Sequence, residues 1–257
     1  MEIDLNCDAG ESYGVYRLGL DEDALPLVSS VNIACGFHAS DPGTMRRTVR
    51  LAKRYGVSVG AHPSFPDRIG FGRRVLQATP EEVTDDVVYQ VGALLAFCRA
   101  EGVPLCHVKA HGALYNVAAS EPALADAIAL AVKSIDPRLV LVCLAGSAMV
   151  AAAARAGIPH VEEAFADRAY ATDGTLVSRR VAGAVIHEPR LVAERVAMMV
   201  TEQRVVAIDG TRVPIAAKTM CVHGDTPGAV EVIRAIRARL AEAGVAVRGL
   251  HPGRTDP

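Results

Sequence analysis

Four histidines hold matching places in the chain. His38, His62, His111 and His223 each fall between the end of a short β-rich run and the start of a helical pattern. Acidic residues keep the same company: Asp8, Asp41, Asp67, Asp167 and Asp225. Asp41 precedes Pro42 and Asp225 lies two residues before Pro227, so both read as helix N-caps. Asp8 and Asp167 have no such explanation. A carboxylate beside an imidazole can act on water as a general base, and an Asp with two His can hold a divalent metal. No HExxH or similar local motif supports a metal. His160, His187 and His251 read as structural or surface residues.

Two runs place further polar groups on one face. In EIDLNCD, Asp4, Asn6 and Asp8 alternate with Ile3, Leu5 and Cys7. A strand buried on both faces reads as nearly all apolar, so this one presents a polar face, either as an edge strand or into a polar lumen. In CHVKAH, His107, Lys109 and His111 alternate in the same way. In a regular strand its two histidines are about 13 Å apart, too far to share one metal. Lys109, among apolar neighbours, needs an anionic partner or a depressed pKa.

The segment from His62 to Arg74, HPSFPDRIGFGRR, is long for a strand-to-helix connection. Its arginines, Arg68 and Arg73 among them, suit phosphate or carboxylate, and Gly70 and Gly72 permit close backbone approach. A solvated surface loop is the alternative. The chain has no GxxxxGK[ST] phosphate loop.

Such residues must be positioned by regular elements. Proline follows Asp41, Thr79, Glu121, Glu188 and Thr226, each time at the head of a helical pattern, where its missing N–H costs nothing. Thr79 and Glu82 fit a capping box. The runs VNIAC, VSVGAH, CHVKAH, LVLVCL, VEEAF and TMCVH read as strands between those helices. About seven strand–helix units predict parallel strands closed into a single (β/α) barrel over residues 1–257. In such barrels the strand-to-helix loops share the face that carries active sites. The run VVAIDGTRVPIAAK breaks the rhythm, and Asp209-Gly210 signals a hairpin.

Bulk properties exclude several classes. The 257 residues are 51% hydrophobic and 22% charged, ordinary values for a globular enzyme. A net charge of −2 gives no basic face for nucleic acid. MEIDLNCDAGE lacks a basic region followed by an apolar run, so neither a signal peptide nor a membrane span is expected, and the cytoplasm is. The six cysteines form no CxxC pair and read as small hydrophobes without disulfides. Alanine-rich helices allow a homo-oligomer.

The blocks DLNCDAGE, NIACGFHASDP, VGAHPSFPDRIGFGRR, VKAHGALYN, EAFADRAYATDGTLVSR and VHGD run in order from Asp4 to Asp225 and resemble the LamB/YcsF family. The resemblance implies a TIM-like barrel related to the glycoside hydrolase and sugar deacetylase barrels. It also implies the activity of a bacterial 5-oxoprolinase, in which such a chain is the A subunit. That enzyme opens 5-oxo-L-proline to L-glutamate with hydrolysis of ATP, taken with Mg2+, and works with subunits B and C. Under that reading Arg68, Gly70, Gly72, Arg73 and Lys109 meet anionic groups. Asp8 or Asp167 is the base, and His62, His111 and His223 polarise or relay protons. The deacetylase relationship implies Asp8, His38 and His62 as ligands if a divalent metal binds at the barrel mouth. Two other readings stay open: a metal-dependent amidase or deacetylase without ATP, and a non-catalytic substrate-binding subunit.

Overall fold

The computed structural model describes residues 1–222 and 228–253. Its strands are β1 (Glu2–Ala9), β2 (Ser30–Ala34), β3 (Ser58–His62), β4 (Leu105–Val108), β5 (Val140–Leu144) and β6 (His160–Phe165), then β7 (Arg204–Val206), β8 (Arg212–Pro214), β9 (Thr219–Val222) and β10 (Ala246–Val247). Strands β1 to β6 and β9 pair side by side, all parallel, and β9 pairs back onto β1. The result is a closed seven-stranded parallel barrel, as the rhythm of strand–helix units predicts. The Asp209-Gly210 turn joins β7 to β8 as an antiparallel hairpin outside the barrel.

Helices α1 (Asp21–Ala24), α2 (Pro42–Tyr55), α3 (Pro80–Glu101), α4 (Gly112–Ala118), α5 (Pro122–Ile135), α6 (Ala148–Ala156), α7 (Pro189–Glu202) and α8 (Ala229–Glu242) connect the strands. Asp41 caps α2 by accepting from the backbone N–H of Gly43 and Thr44. Thr79 and Glu82 form the expected capping box on α3. Thr226 and Pro227 lie outside the described residues, and α8 begins at Ala229. No helix among the described residues is long and apolar enough to cross a membrane. All six cysteines are buried and free.

Alternation along each strand divides the core in two. Outward residues such as Leu5, Ile33, Val59, Val108 and Leu141 pack under the helices. Inward residues form a smaller set. Val140, Val142 and Val161 join Leu250 in a separate apolar cluster that plugs the base of the barrel. Much of the lumen above is polar, and β1 pairs with β2 on one side and β9 on the other, so its polar face belongs to a barrel strand and not to an edge.

Candidate active site

Three layers of polar residues rise through the lumen. Lowest is Asp4, fully buried. Its carboxylate accepts from the hydroxyls of Ser29 and Ser30, each at 2.7 Å, and from Thr219. Burial pushes its pKa up to about 6, although the hydroxyls oppose the rise. Above it, Asn32 Nδ2 donates to Asn6 Oδ1 at 2.7 Å, and His107 Nε2 lies 2.8 Å from Asn32 Oδ1. Burial and the Lys109 charge push the His107 pKa down to about 3. Gly60 must be glycine here, because a Cβ would stand 2.0 Å from His107 Nε2.

The top layer holds the charge. β4 ends at Val108, yet the ladder continues: Lys109 N–H donates to the Ala61 carbonyl and His111 N–H to the Pro63 carbonyl. The row read from CHVKAH is therefore realised, with His107, Lys109 and His111 all buried. Lys109 Nζ is 2.9 Å from Glu163 Oε1, 3.2 Å from Asp8 Oδ1 and 3.1 Å from Cys221 Sγ. Burial alone would lower its pKa, but Asp8, Cys221 and Glu163 hold it well above the ordinary lysine value. Asp8 Oδ1 also accepts from Asn32 Nδ2 at 2.9 Å, which leaves Asp8 Oδ2 directed at His62 Nε2, 3.3 Å away.

Three rim histidines gather above Asp8. His111 Nδ1 is 3.0 Å from His62 Nε2, and the His38 ring stacks on His111 with centroids 3.8 Å apart. Burial, then the neighbouring histidines, pushes the His38 pKa well below its ordinary value; burial, with His62, takes that of His111 to about 3. Oxygen and nitrogen atoms of Asp8, His62 and His111 lie within 4.8 Å of one another, as do those of Glu11, His38 and His111. The fourth predicted rim histidine, His223, lies outside the described residues, as does Asp225.

The Pro63–Arg74 loop closes over this cluster. Asp67 organises it, accepting from the N–H of Gly70 and Arg74 and from the Arg74 guanidinium. That guanidinium, more than the backbone, holds the Asp67 carboxyl at about 2. Gly72, at φ +65°, packs so closely that a Cβ would meet Ser64, His111 and His38. Gly70 abuts Asp67 and Arg74. Arg68 lies on the outer rim, its guanidinium 4.0 Å from the Tyr13 ring centroid and donating to the Gly36 carbonyl. Arg73 points the other way, into the cavity.

That cavity, about 1030 Å³, has Asp8, His62, Lys109 and His111 at its closed end, and Arg73 and Arg168 on its walls. Asp167, though buried just past β6, is not among its lining residues. The structure thus brings Asp8, His62, Lys109, His111 and Arg73 together, with His38 behind them.

Sequence reasoning missed Glu163, Tyr115 and Arg168. Glu163 is fully buried and accepts from Asn6 Nδ2 at 3.0 Å and from the Tyr115 hydroxyl at 2.7 Å. The Glu162–Glu163 doublet on β6 was the signal that could have found it, since only one of two adjacent strand residues can face the lumen.

The family model described as LamB/YcsF matches residues 3–254. A protein of Symbiobacterium thermophilum described as the A subunit of 5-oxoprolinase is 55% identical over 96% of this chain and 94% of its own length. One of Heliobacterium modesticaldum with the same description is 53% identical over 96% of this chain and 98% of its own. A crystal structure described as a lactam utilization protein from Thermus thermophilus matches with a TM-score of 0.93 at 52% identity, covering 97% of this chain and 100% of that one.

Proposed function

The chain belongs to the LamB/YcsF family, and on that footing we propose that it is a lactam hydrolase, the A subunit of an ATP-dependent 5-oxoprolinase that works with subunits B and C. The described relatives support the substrate. The observation that carries the chemistry is the Asp8–Lys109–His62 arrangement at the closed end of the cavity.

A five-membered lactam is resonance-stabilised, and its carbonyl carbon is a poor electrophile. Transfer of the ATP γ-phosphoryl group to the lactam oxygen removes that protection. Water then adds to the carbon, the C–N bond breaks, and the nitrogen takes a proton to become the amine. A second water releases phosphate from the resulting carboxyl carbon. Per turnover, 5-oxo-L-proline, ATP and two waters give L-glutamate, ADP and phosphate.

Within this scheme Asp8 is the base for water. One of its oxygens is anchored by Lys109 and Asn32 while the other faces His62 at the cavity wall. His62 and His111 pass protons. Arg73 and Lys109 are the cations nearest the cavity's closed end and meet the substrate's anionic groups. Arg68, stacked on Tyr13, contributes at the rim.

The test measures glutamate and ADP from 5-oxoproline and ATP, with this chain alone and with subunits B and C. Turnover is expected only in the mixture, and Asp8→Asn removes it. Full turnover by a folded Asp8→Asn/Asp167→Asn double variant would overturn the scheme. ATP-independent amide or acetyl hydrolysis by the chain alone would favour the second reading, a metal-dependent amidase. The convergence of Asp8, His62 and His111, and of Glu11, His38 and His111, stands on its side among the described residues.

A further inference from the structure

Arg168 lines the cavity but has no part in the scheme above. It lies three residues past the end of β6 and is only 8% exposed. Among the described residues no carboxylate pairs with its guanidinium. Nη2 donates to the Val177 carbonyl at 2.7 Å, and Nε is buried with no hydrogen-bond partner. Nη1 makes no hydrogen bond among the described residues and is the nitrogen left to the cavity. Burial, then the Arg179 charge, pushes the Arg168 pKa down, and the Asp167 charge opposes them only in part. A guanidinium buried in this way costs free energy until an anion meets it.

The bond to Val177 does not account for the residue. The segment around it is already held by its backbone: Val177 N–H donates to the Ala169 carbonyl, Ala169 N–H to that of Ala184, and Ile186 N–H to that of Asp167. The Val177 carbonyl therefore aims the guanidinium more than it secures the segment. Between Arg168 and the closed end stand two aromatic rings. Phe165 and Tyr115 both line the cavity, edge to face with centroids 6.1 Å apart, and Lys109 Nζ lies 5.4 Å from the Phe165 centroid. The wall thus runs from one cation, across aromatic surface, to a second.

Resting on the lactam reading, we propose that Arg168 binds the carboxylate of the substrate, with the ring lying against Phe165 and Tyr115 and the amide turned toward Lys109 and Asp8. In 5-oxoproline the amide carbonyl and the carboxylate-bearing carbon flank the ring nitrogen, and the remaining ring carbons are apolar. A site that reads the whole molecule needs a polar group at each end and apolar contact between them. One available nitrogen suits one carboxylate, through a charge-assisted hydrogen bond. A triphosphate carries more charge than that nitrogen can meet. Arg73 and Lys109 keep the anionic groups at the lactam end, where the phosphoryl group arrives. Selectivity follows, because a neutral cyclic amide leaves Arg168 buried and unpaired.

The test uses the full chain assembled with subunits B and C. It varies 5-oxoproline, ATP and 2-pyrrolidone, the same ring without the carboxylate. In Arg168→Gln, folded by circular dichroism, KM for 5-oxoproline should rise at least about 30-fold, while kcat and KM for ATP change little. The preference for 5-oxoproline over 2-pyrrolidone should fall by the same factor. Arg168→Lys keeps the charge, should recover part of the affinity, and carries the same comparison if the glutamine variant does not fold. An unchanged KM for 5-oxoproline overturns the proposal. A rise in KM for ATP instead overturns it in favour of a nucleotide contact, and equal loss with both lactams overturns it in favour of a structural role. All three leave the lactam reading standing. Only a wild-type assembly that fails to open 5-oxoproline overturns that reading, and the proposal with it.

Discussion

Asp4 and Asp8 lie on one strand and one face, about 13 Å apart, yet the barrel treats them oppositely. Asp4 is sealed among three hydroxyls, and no cation is hydrogen-bonded to it among the described residues. Asp8 is partly exposed, paired with Lys109 and turned toward the cavity. At the base, a buried carboxyl is accommodated by hydrogen bonds alone, and its proton affinity rises. At the mouth, it is paired with the Lys109 cation and left at the cavity wall. The same residue type is scaffold in one layer and chemistry in the next, and what distinguishes them is the company of Lys109 and access to the cavity.

The widest disruption should come from Lys109→Met. It strands Asp8 and Glu163 side by side without their cation. Stability in urea should fall by about 3–5 kcal/mol, and turnover should vanish. Asp8→Asn sharpens the comparison from above. Turnover of the assembled enzyme should drop about 10²–10⁴-fold with the melting temperature nearly unchanged. Asp4→Asn sharpens it from below, changing stability and not turnover.

The sign of the Asp4 effect follows from its pKa, about 6 in the folded chain against an ordinary 3.8. Between those values the folded state holds more protons than the unfolded state, so stability falls as pH rises through that window. The loss amounts to about 3 kcal/mol above it. Asp4→Asn lacks this dependence. Urea melts from acid to neutral pH should show wild type losing about that much relative to the variant. Smallest is Ser30→Ala, which removes one hydroxyl from Asp4. It should cost about 1.5 kcal/mol at neutral pH, with turnover intact. A folded Asp4→Asn that loses turnover, beside an Asp8→Asn that keeps it, would reverse the comparison.

The barrel was legible because its signals are local. Alternation exposed the polar face of β1, proline and capping residues marked α2, α3, α5 and α7, and Asp209-Gly210 marked the β7–β8 hairpin. Much of the polar row could also be read, since a strand's face is fixed by its period. What stayed hidden depends on how separate loops fold over the mouth. Four rim histidines look equivalent in sequence, but the strand ladders they extend turn His62 and His111 toward Asp8, while the loop after β2 sets His38 behind them. Arg68 and Arg73 share one loop, yet one faces Tyr13 and the other the cavity. Glu163 needed its strand placed in the ring before its inward direction had meaning. Tyr115 reaches it from a helix that no strand pattern foretells.

The contact that seals Asp4 also says something about time. Its partner Thr219 is 215 residues further along the chain. A chain growing on a ribosome exposes β1 long before β9 exists to cover it. Until then, Asp4 is a hydrated carboxylate on an open curl of strands, and the lumen is a groove. The ring shuts only when its oldest strand meets one of its youngest, a long-range pairing of the kind that slows folding. The lowest polar layer is thus the clasp of the barrel, and the charged layer above it becomes an enclosed pocket only after that clasp has closed.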